Sequence, residues 1–120
     1  SDKDIFETRQ IKLTITNKQK HAIGFIDLFD FEPLHHRAAI GLTISSSNRG
    51  RGYGNASLEL IETYAKEMLQ LHQLYAHVAA ENQYSIQLFE SQKFFLVGKK
   101  KDWNFYEGQF HDELIYQKIV

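Results

Sequence analysis

The 120-residue sequence predicts a mixed α/β fold with elements in the order βββαβαββ, and three observations carry that reading. Ile11, Leu13 and Ile15 alternate with Lys12, Thr14 and Thr16, the period of a half-buried strand. The apolar, partly β-branched run from Ala38 to Ile44, in a strand expected from Arg37, is followed by glycines at 50, 52 and 54. Tyr53, Ser57, Leu60, Ile61, Tyr64, Met68 and Leu71 then fall near one helical face, giving strand, glycine-rich loop and helix in succession. Finally, Leu74 to Ala79 reads as a strand, and Asn82 supplies the cap of a second helix running to about Gln92.

In chain order, residues 1–7 are polar and read as a frayed start, and Asn17-Lys18-Gln19-Lys20 is a polar turn after the first strand. Ala22 to Phe31 is rich in aromatic and β-branched residues at both parities, which predicts an interior strand covered on both sides. Pro33 and Leu34-His35-His36 mark its exit. Adjacent strand residues point to opposite faces, so the two histidines read as a surface loop, and no metal site is expected. The first helix is expected from about Gly52 to Gln70, with Glu59, Glu62, Lys66 and Glu67 on its solvated face. After the second helix, Phe94 to Val97 begins a returning strand that Trp103 to Tyr106 continues. Glu107-Gly108-Gln109 turns, and Glu113 to Ile119 closes the sheet.

Composition limits the functional classes. With 42% hydrophobic and 24% charged residues, the chain is one globular domain with a single core. A formal net charge of −1 lacks the basic excess of a general nucleic-acid binder. Zero cysteines exclude disulfides, thiolate metal sites and a cysteine nucleophile. No run of about 20 apolar residues is present, so a soluble, cytoplasmic protein without membrane contact is expected.

The chemistry concentrates at Asn48-Arg49-Gly50-Arg51-Gly52-Tyr53-Gly54-Asn55. Glycines alternating with side chains let backbone approach a ligand closely, and the N–H groups of a helix start favour phosphate. A Walker loop would end in Gly-Lys-Ser/Thr, whereas Gly54 is followed by Asn55-Ala56. A G-x-G-x-x-G dinucleotide fingerprint counted from Gly50 and Gly52 meets Asn55 at its last position. What remains, Arg49-x-x-Gly52-x-Gly54, resembles the R/Q-x-x-G-x-G/A pyrophosphate loop of the GNAT N-acetyltransferases. A loop that merely binds polyanions, or a glycine-rich connection without a ligand, are the alternatives.

A second stretch, Asn82-Gln83-Tyr84-Ser85-Ile86-Gln87-Leu88-Phe89 through Phe94, is similar to the second GNAT signature, N-x-x-A/S-x-x-L-Y/F-x-x-x-G-F, and lies about 30 residues after the glycine loop. Lys93 stands where many members carry glycine. The tail from Gly98 to Trp103 and from Gly108 to Tyr116 further resembles the branch holding ribosomal-protein N-terminal and spermidine acetyltransferases. The resemblance implies a mostly antiparallel mixed sheet. It also implies an upstream strand and helices that this sequence does not match, so residues 1–120 read as a single, N-terminally truncated domain.

Function follows from the same resemblance: an acetyl group would pass from acetyl-CoA directly to a primary amine on a protein N-terminus, polyamine or small molecule. Backbone of Leu42, Thr43 and Ile44 would pair with the pantetheine arm, and Arg49, Gly50, Arg51, Gly52, Tyr53, Gly54 and Asn55 would hold the pyrophosphate. Asn82 and Phe89 complete the expected cofactor contacts, although Asn82 is equally a simple helix cap. Phe89 occupies the place where many relatives carry the tyrosine that protonates the CoA sulfur, and it has no proton to give. Ser85 is then the candidate acid, with Tyr84 behind it. Ala39 replaces a frequent glutamate base, leaving His77 or Glu81 to accept the amine proton. Exposed apolar sheet would favour a homodimer. Two other classes compete: an acetyl-CoA-binding module without catalysis, and an RNA-binding module using Arg49, Arg51, Lys99-Lys100-Lys101 and Trp103.

Overall fold

A computed structural model describes residues 9–120, so the polar start at residues 1–7 lies outside the described part. Six strands form one sheet: β1 (Ile11–Thr16), β2 (Ala22–Glu32), β3 (Arg37–Ile44), β4 (Gln73–Ala79), β5 (Phe95–Tyr106) and β6 (Gln109–Ile119). Helix α1 (Tyr53–Glu67) connects β3 to β4, and α2 (Gln83–Ser91) connects β4 to β5. The spatial order is β1-β2-β3-β4-β6-β5, and every pairing is antiparallel except β3 with β4. Both helical crossovers advance in the same direction across the sheet, so right-handed connections put both helices on one face. The core agrees: Leu58, Ile61 and Ala65 of α1 and Leu88 and Phe89 of α2 join Ile26, Leu28, Ile40, Leu74, Ala76 and Val78 in one cluster.

That single-sided covering corrects the expectation for β2. Ile26 and Leu28 are buried, but on the opposite parity Phe25 is 42% exposed and Asp27 and Phe29 are half-buried. Burial alternates from Phe25 to Phe29, whereas Ile23 and Phe31, 3% and 1% exposed, are buried near the register shifts at the two ends of the strand, so the two-sided expectation holds only there.

The buried face of α1 also differs from the expected one. Gly54, Leu58, Ile61 and Ala65 point inward, whereas Leu60 is 73% and Met68 62% exposed. Gly54 faces inward because α1 packs tightly on α2 there: a Cβ at Gly54 would lie 2.6 Å from Tyr84 Oη and 3.0 Å from Leu88 Cδ2. Hydrophobicity alone favours Leu60 and Met68, but helix–helix contact requires glycine at position 54. The helix stops at Glu67, before the expected Gln70, because the chain unwinds there. Leu71 N–H bonds Ala65 O at 2.9 Å, and Gln70 takes a left-handed φ of 54°. At the end of α2, Lys93 adopts φ 70°, and Phe94 N–H returns to Phe89 O at 3.0 Å. The last two strands are longer than expected, since β5 runs unbroken through Lys99-Lys100-Lys101 by accommodating bulges near Val97 and between Lys100 and Asn104.

Candidate functional site

β3 and β4 pair over only Arg37 to Ala39 with Gln73 to Tyr75. Beyond that point the parallel strands part, leaving the β4-facing edge of Leu42, Thr43 and Ile44 without a strand partner while β2 holds their other edge. The fork opens toward the ends of β3 and β4 from which the two helices depart. Ligands of open α/β sheets gather where neighbouring strands diverge in this way.

The glycine loop borders the fork. Gly50 and Gly52 have φ of 79° and 86°, and Gly52 is the N-cap of α1 with no side-chain cap. The first helical bond runs from Ala56 N–H to Gly52 O at 3.0 Å, so the N–H groups of Tyr53, Gly54 and Asn55 precede it. These donors face a cleft of about 320 Å³ lined by Gly50, Gly52, Gly54 and Asn55 on one side and Tyr84, Leu88 and Ser91 on the other. A larger groove of about 400 Å³ runs between β1 and α1, but Leu13, Ile26, Leu60 and Ile61 make it apolar, and it lacks the loop's donors. The smaller cleft is the one whose chemistry suits an anion.

Side chains around the loop divide into builders and free donors. Arg49 is a builder: its Nε donates to Ile44 O at 2.9 Å, and its guanidinium lies 4.5 Å from the centre of the Tyr84 ring. That contact also occupies the Ile44 carbonyl, and the Thr43 carbonyl is turned toward Gly24 of β2, so Leu42 and the Ile44 N–H are the open backbone of the slot. Burial pushes the Tyr84 phenol above its ordinary range, partly opposed by the Arg49 charge. Asn55 Oδ1 accepts from Ser91 Oγ and Gln92 Nε2, both at 3.0 Å, tying α1 to α2. Arg51 is exposed at the loop tip.

Asn82 Oδ1 accepts from Ser85 N–H at 3.1 Å, so the helix-cap role is present in the fold. Ser85 is 8% exposed in the first turn of α2. Phe89 is 3% exposed and packs edge-on against Phe94 with centroids 5.0 Å apart, which places its ring in the core. Glu81 Oε2 lies 3.0 Å from His111 Nδ1, while His111 Nε2 lies 3.0 Å from Tyr106 O and the ring stacks on Tyr106 at 3.7 Å. His77 Nδ1 stands 3.7 Å from Glu113 Oε2 on the face opposite the helices. Glu81 and His77 therefore belong to separate groups. The lysine run does not form one basic face: Lys99 pairs with Asp112 at 3.4 Å, whereas Lys100 covers Trp103 at 4.4 Å. Asp112 is held below its ordinary range first by the backbone N–H of Asp102 and then by Lys99.

Sequence reasoning missed Ser91 of the cleft wall, which shares the α2 face of Tyr84 and Leu88 at helical spacing. It also missed Asp27 and Glu113. The signal for Asp27 was a carboxylate inside an otherwise apolar strand run.

Comparison with known proteins agrees with this architecture. The family model described as "Acetyltransferase (GNAT) domain" matches residues 3–94. The chain is 26% identical over 111 residues to spermidine N(1)-acetyltransferase of Vibrio cholerae serotype O1, covering 92% of this chain and 64% of that protein. It is 25% identical over 113 residues to spermidine N(1)-acetyltransferase of Escherichia coli K12, covering 94% and 60% respectively. It thus spans less than two thirds of the length of either relative. A dodecameric structure of spermidine N-acetyltransferase from Vibrio cholerae superposes with a TM-score of 0.87, at 24% identity, over 98% of this chain and 69% of that one, a likeness of fold. With the family model matching most of its length, the chain belongs to the GNAT acetyltransferase family.

Proposed function

We propose that this protein binds acetyl-CoA and transfers its acetyl group to a primary amine, with spermidine, which names the relatives' activity, the first acceptor to test. The observation that carries the reading is the β3–β4 fork meeting an uncapped glycine-rich helix start. The pyrophosphate lies on the N–H groups of Tyr53 to Asn55, with Arg51 as the free cation and Arg49 bracing the loop. The pantetheine arm continues between the open edge of Leu42 and Ile44 and the wall formed by Tyr84 and Leu88. Held there, the thioester carbonyl is fixed for attack by an amine, and orientation supplies much of the rate. Ser85 is the proton donor to the departing thiolate.

The finer features belong to the same proposal. The protein acts in the cytoplasm and self-associates along the β5 edge, where Phe95 is 72%, Leu96 53% and Val97 54% exposed. An exposed apolar edge strand is a template for pairing with another copy. Calorimetry with acetyl-CoA, followed by thiol release in the presence of spermidine, N-terminal peptides and small amines, tests the reading. Binding and turnover support it, binding without turnover leaves a cofactor-binding module, and absence of binding refutes it.

A further inference from the structure

On the face of the sheet away from the helices, one row of residues crosses the fork. Asp27 on β2 is in register with Gly41 on β3. Two positions past the last β3–β4 pair, Ala39 with Tyr75, Gly41 and His77 stand on opposite sides of the opening. A Cβ at Gly41 would meet Phe29 Cε1 at 3.5 Å and Asp27 Cβ at 4.0 Å, so the glycine keeps clear the space between Asp27 and the fork. Asp27 and His77 are separated by two strand spacings, about 10 Å before the fork widens them, which leaves room for an amine.

Asp27 Oδ1 is buried and has no hydrogen-bond partner among the described residues. Its register neighbour Lys12 does not serve it, because that ammonium lies 4.4 Å from the centre of the Phe25 ring. A buried carboxylate oxygen without a donor is costly, and such a group calls for a partner outside the chain. Across the fork, His77 and Glu113 are diagonal neighbours on one face, since Glu113 pairs with Ala79. Nδ1 is the nitrogen turned toward Glu113, which leaves Nε2 for a ligand, and the 3.7 Å separation is of the kind that tightens when a substrate is bound. Tyr75 bounds the imidazole edge-on at 5.7 Å.

We propose that Asp27 and His77 are the amine-handling pair of the acceptor site, with Glu113 as the residue that positions His77. The inference deepens the acetyl-transfer reading and rests on it. The Asp27 carboxylate accepts hydrogen bonds from the incoming R–NH₃⁺ and orients it. One proton passes from the ammonium to His77 Nε2. The neutral amine then attacks the thioester carbonyl carbon, so that the C–N bond forms as the C–S bond breaks. The second proton lost from nitrogen balances the one the CoA thiolate gains as it leaves, giving the amide, the free thiol and one proton held on His77.

The test uses the wild-type protein and the near-isosteric variants Asp27→Asn, His77→Gln and Glu113→Gln. Acetyl-CoA affinity is measured by calorimetry, transfer to spermidine by thiol release, and the His77 tautomer by ¹⁵N NMR. Acetyl-CoA affinity should stay within about twofold in all three variants, because none touches the glycine loop. His77→Gln should lower kcat by about 10²-fold or more. Asp27→Asn should raise the KM for the amine by about tenfold, as expected for a lost charged hydrogen bond. Glu113→Gln should lower kcat with the amine KM unchanged, and should shift the imidazole from the Nδ1–H toward the Nε2–H tautomer, which a merely structural role would not do. Full kcat in His77→Gln, an unchanged amine KM in Asp27→Asn or an unchanged tautomer in Glu113→Gln overturns the proposal. Failure of the wild type to bind acetyl-CoA, or binding without transfer to any amine, overturns the acetyl-transfer reading itself, whereas wild-type transfer that persists at full kcat in His77→Gln overturns the pairing alone.

Discussion

Single residues at the loop separate conformational from steric demands. Gly52 has open space around its Cβ position but a φ of 86°, so Gly52→Val is penalised by backbone conformation, at about 1–2 kcal/mol, and not by a clash. Relief of that strain moves the helix start, and acetyl-CoA affinity should fall at least tenfold in a protein that remains folded by circular dichroism; unchanged affinity would remove the loop from the site. Gly54 makes the opposite demand, because a Cβ there meets Tyr84 and Leu88, two of the side chains that form the far wall of the cleft. Ser85→Ala tests the proposed acid: kcat should drop by about 10²-fold with acetyl-CoA affinity retained. Wild-type turnover in that variant would hand the role to Tyr84 or to water. Tyr116 provides a pH test of stability. It is buried and donates to Glu90 Oε2 at 2.8 Å, and burial, followed by that bond and the Glu90 charge, pushes its phenol up to about 12. The neutral form is favoured in the fold, so its contribution is complete below the unfolded value of about 10 and is lost as pH rises toward 12. Melting temperature should fall across pH 10–12, and less steeply in Tyr116→Phe.

At the scale of elements, the two helices are held together by polar ties as well as by close packing. Asn55 accepts from both Ser91 and Gln92, and Asn82 caps α2. Asn82→Ala should cost about 1 kcal/mol in chemical denaturation. A comparable loss for Asn55→Ala would show that the exposed tie matters, whereas no change would assign the α1–α2 contact to Gly54 and Leu88 alone. Helix exits offer a gain. Lys93 adopts a left-handed φ of 70° where glycine is at ease, so Lys93→Gly should raise stability by about 1 kcal/mol and increase the melting temperature. A decrease would show that Lys93 makes a contact that outweighs its backbone strain.

Among the described residues, the sheet has both helices on one face, no helix on the opposite face and an apolar outer strand at β5. The self-association proposed along that strand would make the sedimentation coefficient concentration-dependent. Phe95→Lys with Val97→Lys should yield a monomer with unchanged acetyl-CoA affinity, because neither residue borders the glycine cleft. A wild-type protein that stays monomeric at all concentrations would rule out the β5 interface.

Local chemistry made several features legible without coordinates. The glycine-loop-to-helix succession, the Asn82 cap and the strand alternation of Ile11 to Thr16 each arise within a few residues, where backbone preference and periodicity are encoded directly. Long-range contact decided the rest. The inward face of α1 includes Gly54 because a second helix lies against it, and hydrophobicity counted along the chain favours Leu60 and Met68, which are exposed. Phe89 resembles a residue beside the cofactor in its motif, yet Phe94 draws its ring into the core. Arg49 reads as a backbone N–H donor to the phosphate, but that N–H turns to Ser46 O at 3.4 Å, and Ile44 O and the Tyr84 ring take its guanidinium. Asp27, Gly41, His77 and Glu113 lie on four different strands, and only pairing register brings them into one row across the fork. Sequence spacing fixes which residues share a turn, whereas register between distant strands fixes which side chains can share a substrate.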